Sequence, residues 1–81
     1  MSVKDRVLEL VLENLEVDAA AVVPAAKFID DLGVSSMDLW ELVLVMEDVF
    51  DLEVPDEALE KLVTIQDAID FIESHLGRKE V

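Results

Sequence analysis

Apolar residues recur at helical spacing in three long segments of the chain. The first segment covers residues 3–15, where apolar side chains share one side and charged side chains the other. Residues three and four positions apart lie on one face of a helix, so this pattern predicts an amphipathic helix. Ser2 and Asp5 form the pattern of a capping box, which predicts a helix start just after Ser2. The apolar face is expected to consist of Val3, Val7, Leu8, Leu10, Val11, Leu12 and Leu15.

The second segment predicts a helix over residues 36–50, and the third predicts a final helix later in the chain. Each begins after a hydroxyl residue that is followed three positions later by an acid. Ser35 with Asp38 precedes the second helix, and Thr64 with Asp67 precedes the final one. Both pairs are typical of a capping box, so the starts of these helices are well defined by local sequence.

A short third helix and the end of the final helix are predicted from single residues. Pro55 is typical of a helix start, which predicts a short helix over residues 56–62. Gly77 predicts the end of the final helix, because glycine commonly follows the last helical turn. The apolar side of the final helix is expected to carry Ile65, Ala68, Ile69, Ile72 and Leu76.

Residues 16–34 form a connection that is long for so small a chain and therefore needs anchors or a function. The alanine-rich stretch before Pro24 is long enough for one short helical turn, which the proline ends. Gly33 supplies a turn. The residues expected to anchor the connection in the core are Phe28, Ile29 and Leu32.

No stretch shows the sustained alternation of apolar and polar residues that a half-buried strand requires. The pattern therefore predicts one all-α domain over residues 1–81. Its architecture is expected to be a small bundle of three longer helices and one short helix.

The second helix carries two separate apolar stripes on a helical wheel. A core face is formed by Leu39, Leu42, Val43, Met46, Val49 and Phe50. The second stripe consists of Met37, Trp40 and Leu44, bordered by Ser36 and Glu47 on one side and by Glu41 and Asp48 on the other. A central helix could bury both stripes, but unpaired carboxylates are costly to bury. An apolar centre with a charged rim is instead typical of a surface that docks another protein.

The chain is strongly acidic, with 20 acids against six Lys and Arg residues and a formal charge of −14. Such a charge repels nucleic acid and anionic membrane surfaces and attracts basic proteins. No signal peptide or membrane-spanning segment is predicted, so we expect a cytoplasmic monomer without membrane insertion.

The sequence lacks the combinations of residues that are expected of a catalytic site or a metal site. There is no cysteine, and the single histidine, His75, lies far along the chain from both serines. Four acids loosely resemble a calcium-binding loop: Asp48, Asp51, Glu53 and Asp56. The central glycine that such a loop requires is absent. We therefore predict that the chain is not an enzyme and binds no metal.

Two adjacent serines at the start of the second helix have different expected roles. Ser35, as the N-cap, uses its hydroxyl to accept from backbone amides. Ser36 is then the first helical residue, and its hydroxyl is free. An anion attached to Ser36 would lie near a helix N-terminus, where free amides and the macrodipole favour negative charge. Ser36 is therefore the candidate to carry a phosphate group.

Two stretches, FIDDLGVSSMD and ELVLVMEDVFDLEVPDEALEKLVTIQDAIDFI, resemble the acyl carrier proteins of the bacterial type II kind. The resemblance covers almost the whole chain and is strongest over residues 28–72. Shared features are an acid-Leu-Gly turn, a serine three residues after that glycine, an acidic-apolar helix and a short acidic helix after a Val-Pro pair.

The resemblance implies that Ser36 is esterified by 4′-phosphopantetheine taken from coenzyme A. It implies a carrier that presents acyl thioesters to enzymes of fatty acid biosynthesis or of related lipid or polyketide pathways. The implied partners are a phosphopantetheinyl transferase and acyl-loading and acyl-processing enzymes with basic docking patches. The docking residues expected on the second helix are Met37, Trp40, Glu41, Leu44, Glu47 and Asp48.

Three residues depart from the family pattern, and they favour a carrier with a specialised pathway. Ser35 stands where the family usually has Asp, Met37 replaces the usual Leu, and Trp40 replaces a smaller residue. Two alternatives stay open at this point. One is a carrier of aminoacyl or peptidyl groups, and the other is an adaptor with this fold that is never loaded.

The charge distribution generates a prediction about stability. Eleven acids and no base lie between Phe28 and Glu60, so like charges repel one another in the folded chain. Added salt or millimolar divalent cations should raise the melting temperature, because ions shorten the reach of exposed charges. Thermal unfolding followed by circular dichroism at increasing ionic strength measures this, and a constant melting temperature would contradict it.

Overall fold

The computed structural model describes residues 2–79, with side chains for residues 2–75. Four α-helices follow one another: α1 (Val3–Asn14), α2 (Ser36–Phe50), α3 (Asp56–Leu59) and α4 (Ile65–Lys79). A single 3₁₀ turn, Ala19–Ala21, lies in the connection between α1 and α2. The predicted all-α bundle of three longer helices and one short helix is confirmed.

The core lies where α1 contacts both α2 and α4. It is entirely apolar among the described side chains, since none of the buried residues is polar or charged. Its largest fully buried side chains are Phe28, Leu42, Met46, Ile65, Ile69, Ile72, Val7 and Val11. Phe28 thus anchors the long connection, as predicted.

The connection is also tied by its backbone to the start of α4. The Phe28 amide donates to the Val63 carbonyl at 3.0 Å, and the Ile65 amide donates to the Ala26 carbonyl at 3.0 Å. Lys27 and Thr64 pair between these two bonds as an isolated antiparallel bridge. These backbone bonds hold residues 26–28 in place against the start of α4.

Two predicted helix ends are wrong. The short helix ends at Leu59 rather than at Leu62, because the chain tightens into a turn in which the Leu62 amide donates to the Leu59 carbonyl at 3.1 Å. The final helix runs through Gly77 to Lys79. Glycine costs only about 1 kcal/mol in a helix interior relative to alanine, so it permits continuation as well as an ending. The Leu76 side chain lies outside the described residues.

Three residues predicted to be in the core are exposed instead. Ile29 is 52% exposed, Leu12 44% and Val49 39%. Leu12 and Val49 lie at the edges of the apolar faces of their helices, where the neighbouring elements do not cover their side chains. Ile29 follows Phe28 in a turn whose Asp31 and Leu32 amides both donate to the Lys27 carbonyl, and this turn leaves its side chain outside the core. Leu32 is partly buried against the core and does anchor the connection.

No helix among the described residues is long and apolar enough to span a membrane.

Candidate functional site

A tight turn sets the position of the two serines. Gly33 has φ of +72°, a left-handed conformation that glycine adopts without a Cβ clash. Its amide donates to the Ile29 carbonyl at 3.2 Å, and the Val34 amide donates to the Phe28 carbonyl at 3.1 Å. Val34 is buried, so the turn is fixed to the core immediately before the serines begin.

Ser35 is the N-cap of α2, and its hydroxyl is used by the helix. The Asp38 amide donates to Ser35 Oγ at 3.1 Å, and the Ser35 amide donates to Asp38 Oδ2 at 3.4 Å. These reciprocal bonds form the predicted capping box. Thr64 and Asp67 form an equivalent box at α4. At α1 only half of the box forms, from the Asp5 amide to Ser2 Oγ.

Ser36 is the first residue of α2, and its side chain is exposed. Its hydroxyl has no hydrogen-bond partner among the described residues, and the Ser36 and Met37 amides have no acceptor there either. The hydroxyl is therefore accessible for esterification. Free amides at the positive end of the helix are suited to the negative charge of a phosphate at this position. This arrangement fits a phosphopantetheine group esterified to Ser36.

Beside Ser36 lies a cavity of about 450 Å³. It is formed between the start of α2, the connection before it and the segment around α3. Most of the lining is apolar and consists of Ile29, Leu39, Leu59, Leu62 and Val63. Three charged residues, Lys27, Asp30 and Glu60, complete it. Sequence reasoning did not locate this cavity, because its lining comes from segments far apart in the chain.

The second apolar stripe of α2 faces solvent. Met37 is 64% exposed, Trp40 47% and Leu44 43%. Burial of both stripes, the alternative reading of the wheel, is therefore wrong. The core face of the same helix, including Leu42 and Met46, is fully buried. The helix thus has one face in the core and a second apolar face available to a partner.

The acidic residues around the exposed stripe differ in their exposure to solvent and in their hydrogen bonding. Glu41 and Asp48 are exposed. Glu47 is half-buried, and its Oε2 accepts from the Val54 amide at 2.7 Å. This bond joins α2 to the loop before α3, so Glu47 has a structural role that sequence reasoning missed. Val54 lies beyond the end of α2, so no helical spacing rule relates the two partners.

His75 lies in a different environment from Ser36. Its ring stacks on Phe71 with centroids 4.0 Å apart, and its Nδ1 is 2.9 Å from the Phe71 carbonyl oxygen. It lines a separate cavity with Lys61 and Phe71 rather than the one beside Ser36. The described residues contain no group of three or more acids or histidines that is placed to hold a metal ion.

The chain is similar to known proteins along almost all of its length. The model of a family described as the phosphopantetheine attachment site matches residues 5–72. A protein named acyl carrier protein, from Solidesulfovibrio magneticus, is 49% identical over 77 residues. The aligned part covers 95% of this chain and 99% of that relative.

The bond between Glu47 and Val54 generates a prediction about stability. Glu47→Ala should lower the free energy of unfolding by about 1 kcal/mol, because a half-buried amide loses a charged acceptor. Glu41→Ala is the matched control, since it removes the same charge from an exposed position of the same helix. Urea unfolding of both variants measures the difference. Equal free energies of unfolding for the two variants would show that the bond contributes nothing.

Proposed function

Because the chain belongs to the acyl carrier protein family, whose members carry covalent 4′-phosphopantetheine, we propose that Ser36 is the attachment residue. The observation that carries this proposal is the division between the two serines. The Ser35 hydroxyl accepts from the Asp38 amide, whereas the Ser36 hydroxyl is exposed and has no partner among the described residues. Only Ser36 can be esterified without removing the cap of α2.

The family assignment explains how a chain without cysteine can carry thioesters. The bound arm supplies the thiol, and the protein supplies attachment, presentation and recognition. An intermediate tethered to the carrier reaches a high effective concentration at each enzyme that the carrier visits. The family is one of carriers rather than of enzymes, and this chain's residues hold and present the cargo without reacting with it.

The exposed stripe of α2 is the proposed docking surface. Met37, Trp40 and Leu44 form an apolar centre that begins one residue after Ser36, so a docked partner lies close to the attached arm. Glu41, Glu47 and Asp48 form its acidic rim, which attracts enzymes with basic patches. Glu47 combines this position with its bond to the Val54 amide, so its share in recognition should be smaller than that of Glu41.

The cavity beside Ser36 is proposed to shelter the acyl group. It has room for a chain of methylenes, and burial of apolar surface is favourable by roughly 0.8 kcal/mol per methylene. Its apolar lining, with Leu39 and Leu62 at the boundary of the core, suits a hydrocarbon better than a charged cargo. This favours acyl groups of fatty acid, related lipid or polyketide biosynthesis over aminoacyl or peptidyl groups.

We further propose that the carrier acts as a monomer in the cytoplasm and meets a phosphopantetheinyl transferase first. Acyl-loading and acyl-processing enzymes then use the same docking surface. The remaining alternative, an adaptor that is never loaded, is less well supported, because it requires no exposed hydroxyl at the start of α2. The mass of the protein purified from its own host separates the two.

Loading at Ser36 is tested directly by mass spectrometry. Incubation with coenzyme A and a phosphopantetheinyl transferase should add one arm to the wild type and none to Ser36→Ala. Ser35→Ala should still be loaded, although loss of the cap costs about 1 kcal/mol and slows the reaction. Ser35→Gly is a control with a smaller loss of cap stability. Loading of Ser36→Ala, or a complete block by both changes at Ser35, would overturn the assignment.

Docking is tested by binding kinetics against the same transferase. Trp40→Ala should raise the dissociation rate by about tenfold or more, because a large apolar anchor is lost from the centre of the interface. Glu41→Lys should mainly lower the association rate and weaken its dependence on salt, because rim charges steer encounter. Glu73→Lys makes the same charge change at an exposed position of α4 and serves as the control.

Wild-type rate constants for Trp40→Ala and Glu41→Lys, in variants that remain folded, would place the docking surface elsewhere. An association rate lowered equally by Glu73→Lys would indicate that net charge, not the rim, governs encounter.

A further inference from the structure

Lys27 occupies a fixed position beside the attachment site. Its amide donates to Asp31 Oδ2 at 2.8 Å, and its backbone pairs with Thr64. The hydrogen bonds of Ala26 and Phe28 on either side hold the same segment against the start of α4. The Lys27 side chain is exposed but begins from a rigid backbone, and it lines the same cavity as Ser36.

The Lys27 ammonium has no carboxylate partner in the part of the chain that the structure describes. The ion pairs found there belong to Arg6 on α1, with Glu9 and Glu13. This is notable in a chain with 20 acids. The neighbouring Asp31 carboxylate accepts from the Lys27 amide and does not pair with the ammonium, which remains available to a further anion.

Esterification of Ser36 places such an anion at this cavity. A phosphodiester carries one negative charge at neutral pH, and the cavity already has the carboxylates of Asp30 and Glu60 in its lining. Lys27 is the only cationic residue of that lining. Without Lys27, the charged residues of the lining would be Asp30 and Glu60, and their negative charges would repel the phosphodiester from the cavity.

We propose that the Lys27 ammonium pairs with the phosphodiester on Ser36 and so directs the start of the arm toward the apolar cavity. This inference rests on the proposed attachment at Ser36. Lys27 is a positioning residue here: it favours the orientation in which the arm lies across Ile29 and Val63, both of which line the cavity and are exposed. The free amides at the start of α2 also favour a negative charge at this position.

The test compares the loaded wild type with loaded Lys27→Gln and Lys61→Gln. Lys61→Gln is the matched control, because Lys61 is exposed and lines a different cavity. The measurements are nuclear Overhauser contacts between the arm and the Ile29 and Val63 methyl groups, and the ³¹P chemical shift of the phosphodiester. Circular dichroism establishes that each variant is folded, and intact mass establishes that each is loaded.

Lys27→Gln should weaken the contacts by roughly 1.4- to fivefold, the range of an exposed ion pair, and should shift the ³¹P resonance. Raising the salt concentration from about 0.01 M to about 1 M shortens the Debye length from about 30 Å to about 3 Å, so it should weaken the contacts in the wild type but not in Lys27→Gln. Lys61→Gln should behave as the wild type.

Equal contacts and ³¹P shifts in all three loaded proteins would overturn the role of Lys27 and leave the attachment at Ser36 intact. An equal loss in Lys61→Gln would overturn it as well, since net charge alone would then explain the effect. A wild type that accepts no group on Ser36 would overturn the attachment and this inference together, and the intact mass identifies that outcome separately.

Discussion

The site depends on how the first turn of α2 satisfies its own amide groups. A helix begins with amides that have no partner within the helix, so a side chain, water or a bound anion has to accept from them. Here Gly33 turns the chain, Val34 fixes it in the core and the Ser35 hydroxyl accepts from the Asp38 amide at 3.1 Å. Because the cap is complete with Ser35, the next hydroxyl is not needed for stability. Ser36 is therefore free for chemistry at the positive end of a helix.

Helix α2 contributes to two surfaces, the core and the exposed apolar stripe. The helical period decides which residues belong to each. Leu42 is fully buried, whereas Leu44, two residues later and on another side of the wheel, is 43% exposed. Residues of α2 that stabilise the bundle are thus separate from the residues of the exposed stripe. A substitution at Trp40, on the exposed stripe, should therefore have little effect on the core. The separation is incomplete at Glu47, whose carboxylate also accepts from the Val54 amide.

Local sequence predicted the helix starts well, because a capping box lies within four residues. Ser35 and Thr64 both form complete boxes where the pattern placed them. The exposed stripe was also predicted from the wheel, once the cost of burying its acids was considered. Helix ends were predicted less well, since glycine is compatible with both ending and continuing a helix, and α4 continues through Gly77.

Features that depend on contacts between distant segments were not predictable from one sequence. The cavity beside Ser36 combines residues from the connection, from α2 and from the segment around α3. The exposure of Ile29 depends on how the turn after Lys27 directs the neighbouring Phe28 side chain into the core. The position of Lys27 depends on its pairing with Thr64, 37 residues later in the chain. Each of these requires the packed arrangement, not the spacing of residue types.

The central claim is that the helix cap assigns the two neighbouring hydroxyls to different roles. Fragment-ion mass spectrometry of the loaded wild-type chain, with cleavage between Ser35 and Ser36, tests it without any substitution that disturbs the cap. The account predicts that all of the phosphopantetheine mass remains on fragments that begin at Ser36. Mass found on fragments that end at Ser35 would contradict it.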